Sequence, residues 1–389
     1  MEQDSSNLSE VAQLCQQMVR IPSVNPQDKT DLPEPYGEVQ MADFVCGWFD
    51  SCGLGPIRQQ VVPGRDNIVV SAEGKDNSKS LLLSSHMDTV DVKDMTIEPF
   101  SGYIADGRIY GRGACDVKGA LAAMMIAFRD RVKAGDLPYN LALVATCGEE
   151  YNMLGARHLA EHLPGKPAGA VFAEPTSHKV VVSHRGVVRL QLTCHGKSGH
   201  SSRPETGVNA IYIIAKAIAA IEEFIERLTD SRGHPDLGCE SAAVTTISGG
   251  QQVNVIPDRC RVRIDWRTLP ERTGEACRAE LAEFLRAKLP DENFDLELLN
   301  TYSPMHTDPE HRLVGALLNA AENIAQTRQK SFMTGATDAS AFASFGIPTP
   351  IFGPGNTAQA HTQDEYVEIA ELEKGLAAYK TYLAGDWGI

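Results

Sequence analysis

The sequence predicts an α/β protein interrupted by a smaller α+β domain, and three observations carry that expectation. Apolar, strand-like runs alternate with helical patterns over residues 1–184, the rhythm changes between 185 and 298, and the α/β character returns over 299–389. In the first part, 67–73 (NIVVSAE), 80–86 (SLLLSSH), 141–147 (LALVATC) and 169–174 (GAVFAE) read as strands buried on both faces. Between them, Val117 to Val132 is rich in Ala, Met and Leu and reads as a helix with Asp116 as its N-cap. From Arg185 the order is strand, long helix (Gly207 to Leu228), two strands, helix (Arg272 to Lys288) and strand, a split β-α-β-β-α-β unit. Helices near Leu313 to Ala325, Ala339 to Phe345 and Ile369 to Leu383, with a strand at 349–353, complete the α/β part. The economical topology is one α/β domain built from both ends of the chain, with the smaller domain inserted.

At 389 residues the chain exceeds the length at which one core usually stops growing, and 42% hydrophobic residues suffice for sizeable cores. Lys plus Arg number 36 against 51 for Asp plus Glu, a net charge of −15 with no basic run, so nucleic acid and anionic membrane are poor partners. The polar, acidic start lacks the pattern of a secretory signal and no apolar run is long enough to span a bilayer, so a cytoplasmic protein is expected. Nine cysteines are scattered without C-x-x-C spacing, so they are expected to be reduced. Cys115 and Cys147 stand near acids that would suppress their thiolates.

Five segments place a possible metal ligand where open α/β sheets put their ligand sites, past the ends of strands. They are SSHMD with His86 and Asp88, GRGACD with Asp116, TCGEE with Glu149 and Glu150, FAEP with Glu174, and GPGNTAQAH with His361. Any one alone would be an ordinary solvated turn or cap, and their shared position is the argument. His86 and Asp88 lie at i and i+2, so Asp88 is placed to hold the second ring nitrogen of a metal-bound His86. Asp116 follows Gly111 and Gly113 in a sharp turn; its carboxylate could bridge two cations or simply cap the helix. Glu149 and Glu150 are adjacent, so one can bind metal while the other reaches a water. So many carboxylates at short range imply neutralising cations, and a His/carboxylate ligand set suits two zinc ions, with cobalt or manganese also possible, in a site for hydrolysis.

The motifs SSHMDTV, GRGACDVKGALAAMM, ATCGEE, FAEPTS, GKSGHSSRPETGVNAI and GPGNTAQAHTQDEYV resemble those of the aminoacylase/M20 metallopeptidase family over nearly the whole chain, most closely its acetylornithine deacetylase and succinyl-diaminopimelate desuccinylase branch. The resemblance implies a zinc-exopeptidase-like catalytic domain, a mixed sheet between helices, with an inserted ferredoxin-like domain serving as lid and dimerisation surface. It implies that His86 and Glu174 bind one zinc, that Glu150 and His361 bind the other, and that Asp116 bridges them. Asp88 would orient His86, Glu149 would be the general base and acid, and His200 would reach a partner subunit's site to hold the oxyanion. Arg267, Asn254, Gly335 and Thr337 match substrate-contacting positions, although Arg267 could equally make a structural ion pair. One departure stands out, Gly148 where the branch usually has an acidic residue before its two glutamates; Glu174 favours the deacetylase, desuccinylase and glutamate-carboxypeptidase branches.

The implied activity is hydrolysis of the amide bond of a small N-acyl amino acid by a homodimer. Cleavage of a dipeptide or acyl-glutamate is the alternative, and a non-catalytic metal- or peptide-binding relative is a third reading, opposed by the presence of every catalytic residue type.

Overall fold

The computed structural model describes residues 8–27, 29, 33–231 and 233–389. The chain forms two compact units: one of Met1–Val182, His306–Ser331 and Thr337–Ile389, the other of Ser183–Met305 with Phe332–Ala336.

In the first unit, five strands form a mixed sheet: β1 (Ile57–Val62), β2 (Arg65–Ala72), β3 (Asp76–His86), β4 (Tyr139–Thr146) and β5 (Gly169–Phe172), in the order β1-β2-β4-β3-β5. β4, β3 and β5 run parallel, whereas β1 and β2 pair antiparallel and β2 pairs antiparallel with β4. Leu81, Leu83, Leu141, Leu143, Ala170 and Val171 are fully enclosed, as continuous apolar runs require when helices cover both faces of a sheet. The parallel register sets His86 beside Thr146 and Ser84 beside Phe172, so three carboxyl ends lie in a row about 4.8 Å apart. That row positions the site.

The helix Gly119–Ala134 is buried from Gly119 through Phe128 and packs against the closing helix Ile369–Ala384. Gly119 makes the approach possible, since a Cβ there would stand 2.8 Å from Leu372 Cδ2 and 2.7 Å from the Ala114 carbonyl. Two local expectations are corrected. Asp116 is not the N-cap of this helix: it lies inside a tight turn, Ala114–Lys118, with φ −120° and ψ 92°, and the helix begins three residues later. Its two carboxylate oxygens face the imidazoles of His86 and His361 instead of the first N–H groups of the helix, and its own N–H donates to the Glu365 carboxylate. The strand expected at 349–353 is reduced to bridges at Ile351, because Pro348 and Pro350 have no N–H and can only accept, from Ala170 and Phe172.

The second unit holds β6 (Gly186–His195), β7 (Ser241–Gly249), β8 (Arg259–Thr268) and β9 (Phe294–Tyr302) in an antiparallel sheet of order β7-β8-β6-β9. The helices Ala210–Ser231 and Gly274–Lys288 cover one face, the second capped by the Thr273 side chain, which accepts from the Ala276 N–H. Alternation along β8 turns Cys260, Val262, Ile264 and Trp266 into this core and Arg259, Arg261 and Arg263 outward. No helix among the described residues is long and apolar enough to cross a membrane.

Candidate metal centre

The row of strand ends gathers the acids. His86 closes β3, Glu149 and Glu150 open a short helical turn just past β4, and Glu174 follows β5 by two residues. Asp116 and His361 arrive from outside the sheet, on a tight turn and on a loop where His361 has φ 63°. One oxygen of Asp116 lies 3.1 Å from His86 Nε2, and the other lies 3.3 Å from His361 Nε2. His361 Nε2 also stands 3.1 Å from a Glu150 oxygen. Two groups of three ligand atoms result, His86 with Asp116 and Glu174, and Asp116 with Glu150 and His361, each within 4.8 Å of one another.

Burial loads this cluster with strained charge. It pushes Glu150 up to about 7, helped by the Asp116 charge, and lifts Glu174 well above the usual carboxylate range, helped by Asp116 and Glu150. Glu149 rises likewise, by burial and by the fields of Glu174, Glu150 and Asp338, against the pull of His86. Burial disfavours charge on His86, but the hydrogen bond to Asp116 and the fields of Glu149, Glu174 and Asp88 outweigh it and raise the ring. His361 is pushed up to about 10 by hydrogen bonds to Asp116 and Glu150. Only Asp116 is lowered, where its two imidazole partners overcome burial. A donor set of two imidazoles and three carboxylates fits a pair of divalent cations.

Asp88 acts differently from the expectation. His86 Nδ1 lies 3.0 Å from the Asp88 backbone carbonyl but 3.7 Å from its carboxylate, beyond hydrogen-bond reach. A carbonyl only accepts, so Nδ1 carries a proton and Nε2 faces Asp116. The carboxylate is engaged elsewhere: the N–H groups of Glu149 and Glu150 donate to its two oxygens at 3.0 and 3.1 Å, and Asn25 Nδ2 donates at 2.7 Å. Asp88 therefore orients the Glu149–Glu150 turn through its side chain and the His86 ring through its main chain.

Gly148 has φ +81°, and a Cβ there would meet Arg65 Nη2 at 2.9 Å. Arg65 is buried in an ion pair with Glu38 that fills the space beside the turn. Sequence reading passed over Asp338, which accepts the Thr146 hydroxyl at 2.6 Å and is raised to about 7 by burial, with the Asp88 and Glu150 charges also acting. It sits one residue beyond Thr337, in a stretch read only for substrate contact. Asn25 and Glu38 lie in segments with no motif.

His200, Asn254, Arg267 and Gly335 belong to the second unit, and Thr337 to the first. His200 is exposed on the short pair formed with Val255, with its Nδ1 2.7 Å from the Ser202 hydroxyl, and the Asn254 carbonyl accepts from the Ser201 N–H nearby. Arg267 pairs through Nε with Asp265 at 2.6 Å. Thr337 is buried and accepts the Ala339 N–H. All nine cysteines are free, and burial pushes the Cys115 thiol well up, with Glu365 and Asp116 adding to it.

A mixed α/β sheet whose parallel carboxyl ends, with an adjoining turn and loop, gather His/carboxylate triads that share an aspartate fits a metal-dependent hydrolase class. The chain belongs to Peptidase family M20/M25/M40, whose model matches residues 82–385, and it is a hydrolase acting on amide bonds. It is 31% identical to an acetylornithine deacetylase of Vibrio campbellii, over 87% of this chain and 89% of the relative. It is 30% identical to that of Proteus mirabilis, over 93% and 92%. Its fold is similar to that of an aminopeptidase, PepT, from Bacillus cereus, at a TM-score of 0.75 and 24% identity, covering 97% of this chain and 98% of the other.

Proposed function

We propose that the chain is a two-metal deacylase that hydrolyses the amide of a small N-acyl amino acid, of the acetylornithine or succinyl-diaminopimelate type. The observation that carries the reading is the pair of ligand triads sharing Asp116, with Glu149 on the same turn as Glu150. His86 and Glu174 would hold one cation, Glu150 and His361 the other, and Asp116 both; zinc is the default, with cobalt or manganese as substitutes. When bound, the pair supplies positive charge that acidifies a water and polarises the amide carbonyl. Glu149 takes a proton from the attacking water and returns it to the departing amine. Asp88 holds the turn that aims Glu149.

Arg267 and Asn254 would hold the substrate carboxylate, the Asp265 pair using Nε of Arg267 and leaving its Nη groups to donate in a fork, and Gly335 with Thr337 would form a substrate-contacting turn. The second unit would serve as lid and dimerisation domain, delivering His200 to the oxyanion in the site of a second copy. Support comes from β7, an edge strand with Ile247 60% exposed, and from Tyr212 at 70% and Val253 fully exposed on the same unit. Light scattering of the pure protein is expected to give a dimer; an active monomer contradicts the shared oxyanion site.

The substrate assignment is tested with metal-stripped protein reloaded with zinc, cobalt or manganese and assayed on acetylornithine, succinyl-diaminopimelate, dipeptides and acyl-glutamates. The acyl amino acids are expected to show the highest kcat/KM. A preference for dipeptides or acyl-glutamates would move the reading to a peptidase, and two bound ions with no turnover would make it a binding protein.

A further inference from the structure

We propose that Glu365 is the positioning residue that locks the Asp116 turn to the His361 loop and thereby sets the affinity for the second cation. The inference rests on the two-metal reading and extends it to a residue outside the ligand set.

Glu365 is fully buried, and each of its acceptors is engaged with the Asp116 turn. One carboxylate oxygen receives the N–H of Cys115 at 2.9 Å and that of Asp116 at 3.0 Å. The other receives Arg112 Nη1 at 2.7 Å, and the Glu365 backbone carbonyl receives the Gly111 N–H at 2.9 Å. Successive N–H groups converging on one carboxylate form an anion-holding concavity, here filled by a side chain from about 250 residues away in sequence. Asp116 needs such a partner because its backbone is neither helix nor paired strand, so no ladder of main-chain bonds fixes it. Gly113, with φ +83°, turns the chain so that the N–H groups face inward.

The same residue stands four positions after His361, which is half exposed and sits on a loop also tied by the Gln363 carbonyl, which accepts the Thr96 N–H at 2.9 Å. Fixing Glu365 therefore fixes the origin of the His361 loop relative to Asp116. His86 and Glu174 are placed by β3 and β5 and do not depend on this link. Loss of the clamp must act on the triad of Asp116, Glu150 and His361 more than on that of His86, Asp116 and Glu174, although Asp116 belongs to both.

The test is titration of metal-free protein with cobalt(II), following the visible absorption of each equivalent, with zinc competition against a chelator as a second readout. Wild type is expected to bind two equivalents. Glu365→Ala should retain the first within a few-fold and bind the second about 10- to 100-fold more weakly, the range seen when partners of metal ligands are removed. Glu365→Gln keeps an oxygen for the two N–H groups and should recover part of the loss. Both equivalents at wild-type affinity in both variants, or equal weakening of the two, would overturn the proposal. Should Glu365→Ala fail to fold, Glu365→Gln alone decides, by whether the second equivalent weakens more than the first. Fewer than two equivalents in the wild type would instead overturn the two-metal reading itself, a result separable from any effect of the variants.

Discussion

Glu149→Ala is expected to lower kcat by about two to four orders of magnitude while two metal equivalents remain bound, the range set by loss of a positioned general base. The separation follows from geometry. Glu149 belongs to neither ligand triad, yet its N–H is held by the same Asp88 carboxylate that holds Glu150. In the metal-free protein, burial and the neighbouring acids raise its carboxyl well above the usual range. KM should change little in Glu149→Ala. Steady-state kinetics beside elemental analysis decides the matter: a kcat within about ten-fold of wild type removes Glu149 from the role, and loss of metal makes it a ligand.

Metal uptake is expected to release protons and to weaken as pH falls. In the metal-free protein His361 is pushed up to about 10, so at neutral pH its ring is charged and must lose a proton before it can bind a cation. Glu150, raised to about 7 by burial first and by Asp116 second, adds a proton below that pH. The sign is the same for both, since a raised pKa means more protons to displace. Affinity at the Asp116, Glu150 and His361 triad should fall about ten-fold per pH unit between 8 and 7 and more steeply below 7. Calorimetry in two buffers of different ionisation enthalpy counts the protons. Affinity that is flat from pH 8 to 6 would mean that these groups do not bind the cation. Asp116→Asn should weaken both equivalents together, because that residue alone serves both triads.

Much of this was legible from residue pattern. The apolar runs of β3, β4 and β5 announced strands buried on both faces, and acids placed just beyond such strands announced a shared edge. The motif order added the family. Less legible were contacts that join distant segments. Asp116 looked like a helix cap because Asp before an Ala-rich run usually is one; the imidazoles that draw its carboxylate away, those of His86 and His361, come from distant segments. Asp88 looked like a ring orienter because i and i+2 share a side in a strand, but the chain has left β3 by then and the carboxylate meets the Glu149–Glu150 turn. The strand at 349–353 looked sound by hydrophobicity, and the prolines on either side of Thr349 withheld the donors a ladder needs.

By itself the sequence determined the chemistry available to this protein: which elements form, which side chains carry charge or imidazole, and that their number calls for cations. It could do so because periodicity and residue type are local properties. Only the tertiary structure decided which oxygen meets which nitrogen, giving Asp116 two imidazole partners, Asp88 a backbone to hold and Arg65 the space beside Gly148. Those choices depend on strand register and on turns packed against residues hundreds of positions away, and the free energy of burial that selects them is a property of the assembled fold.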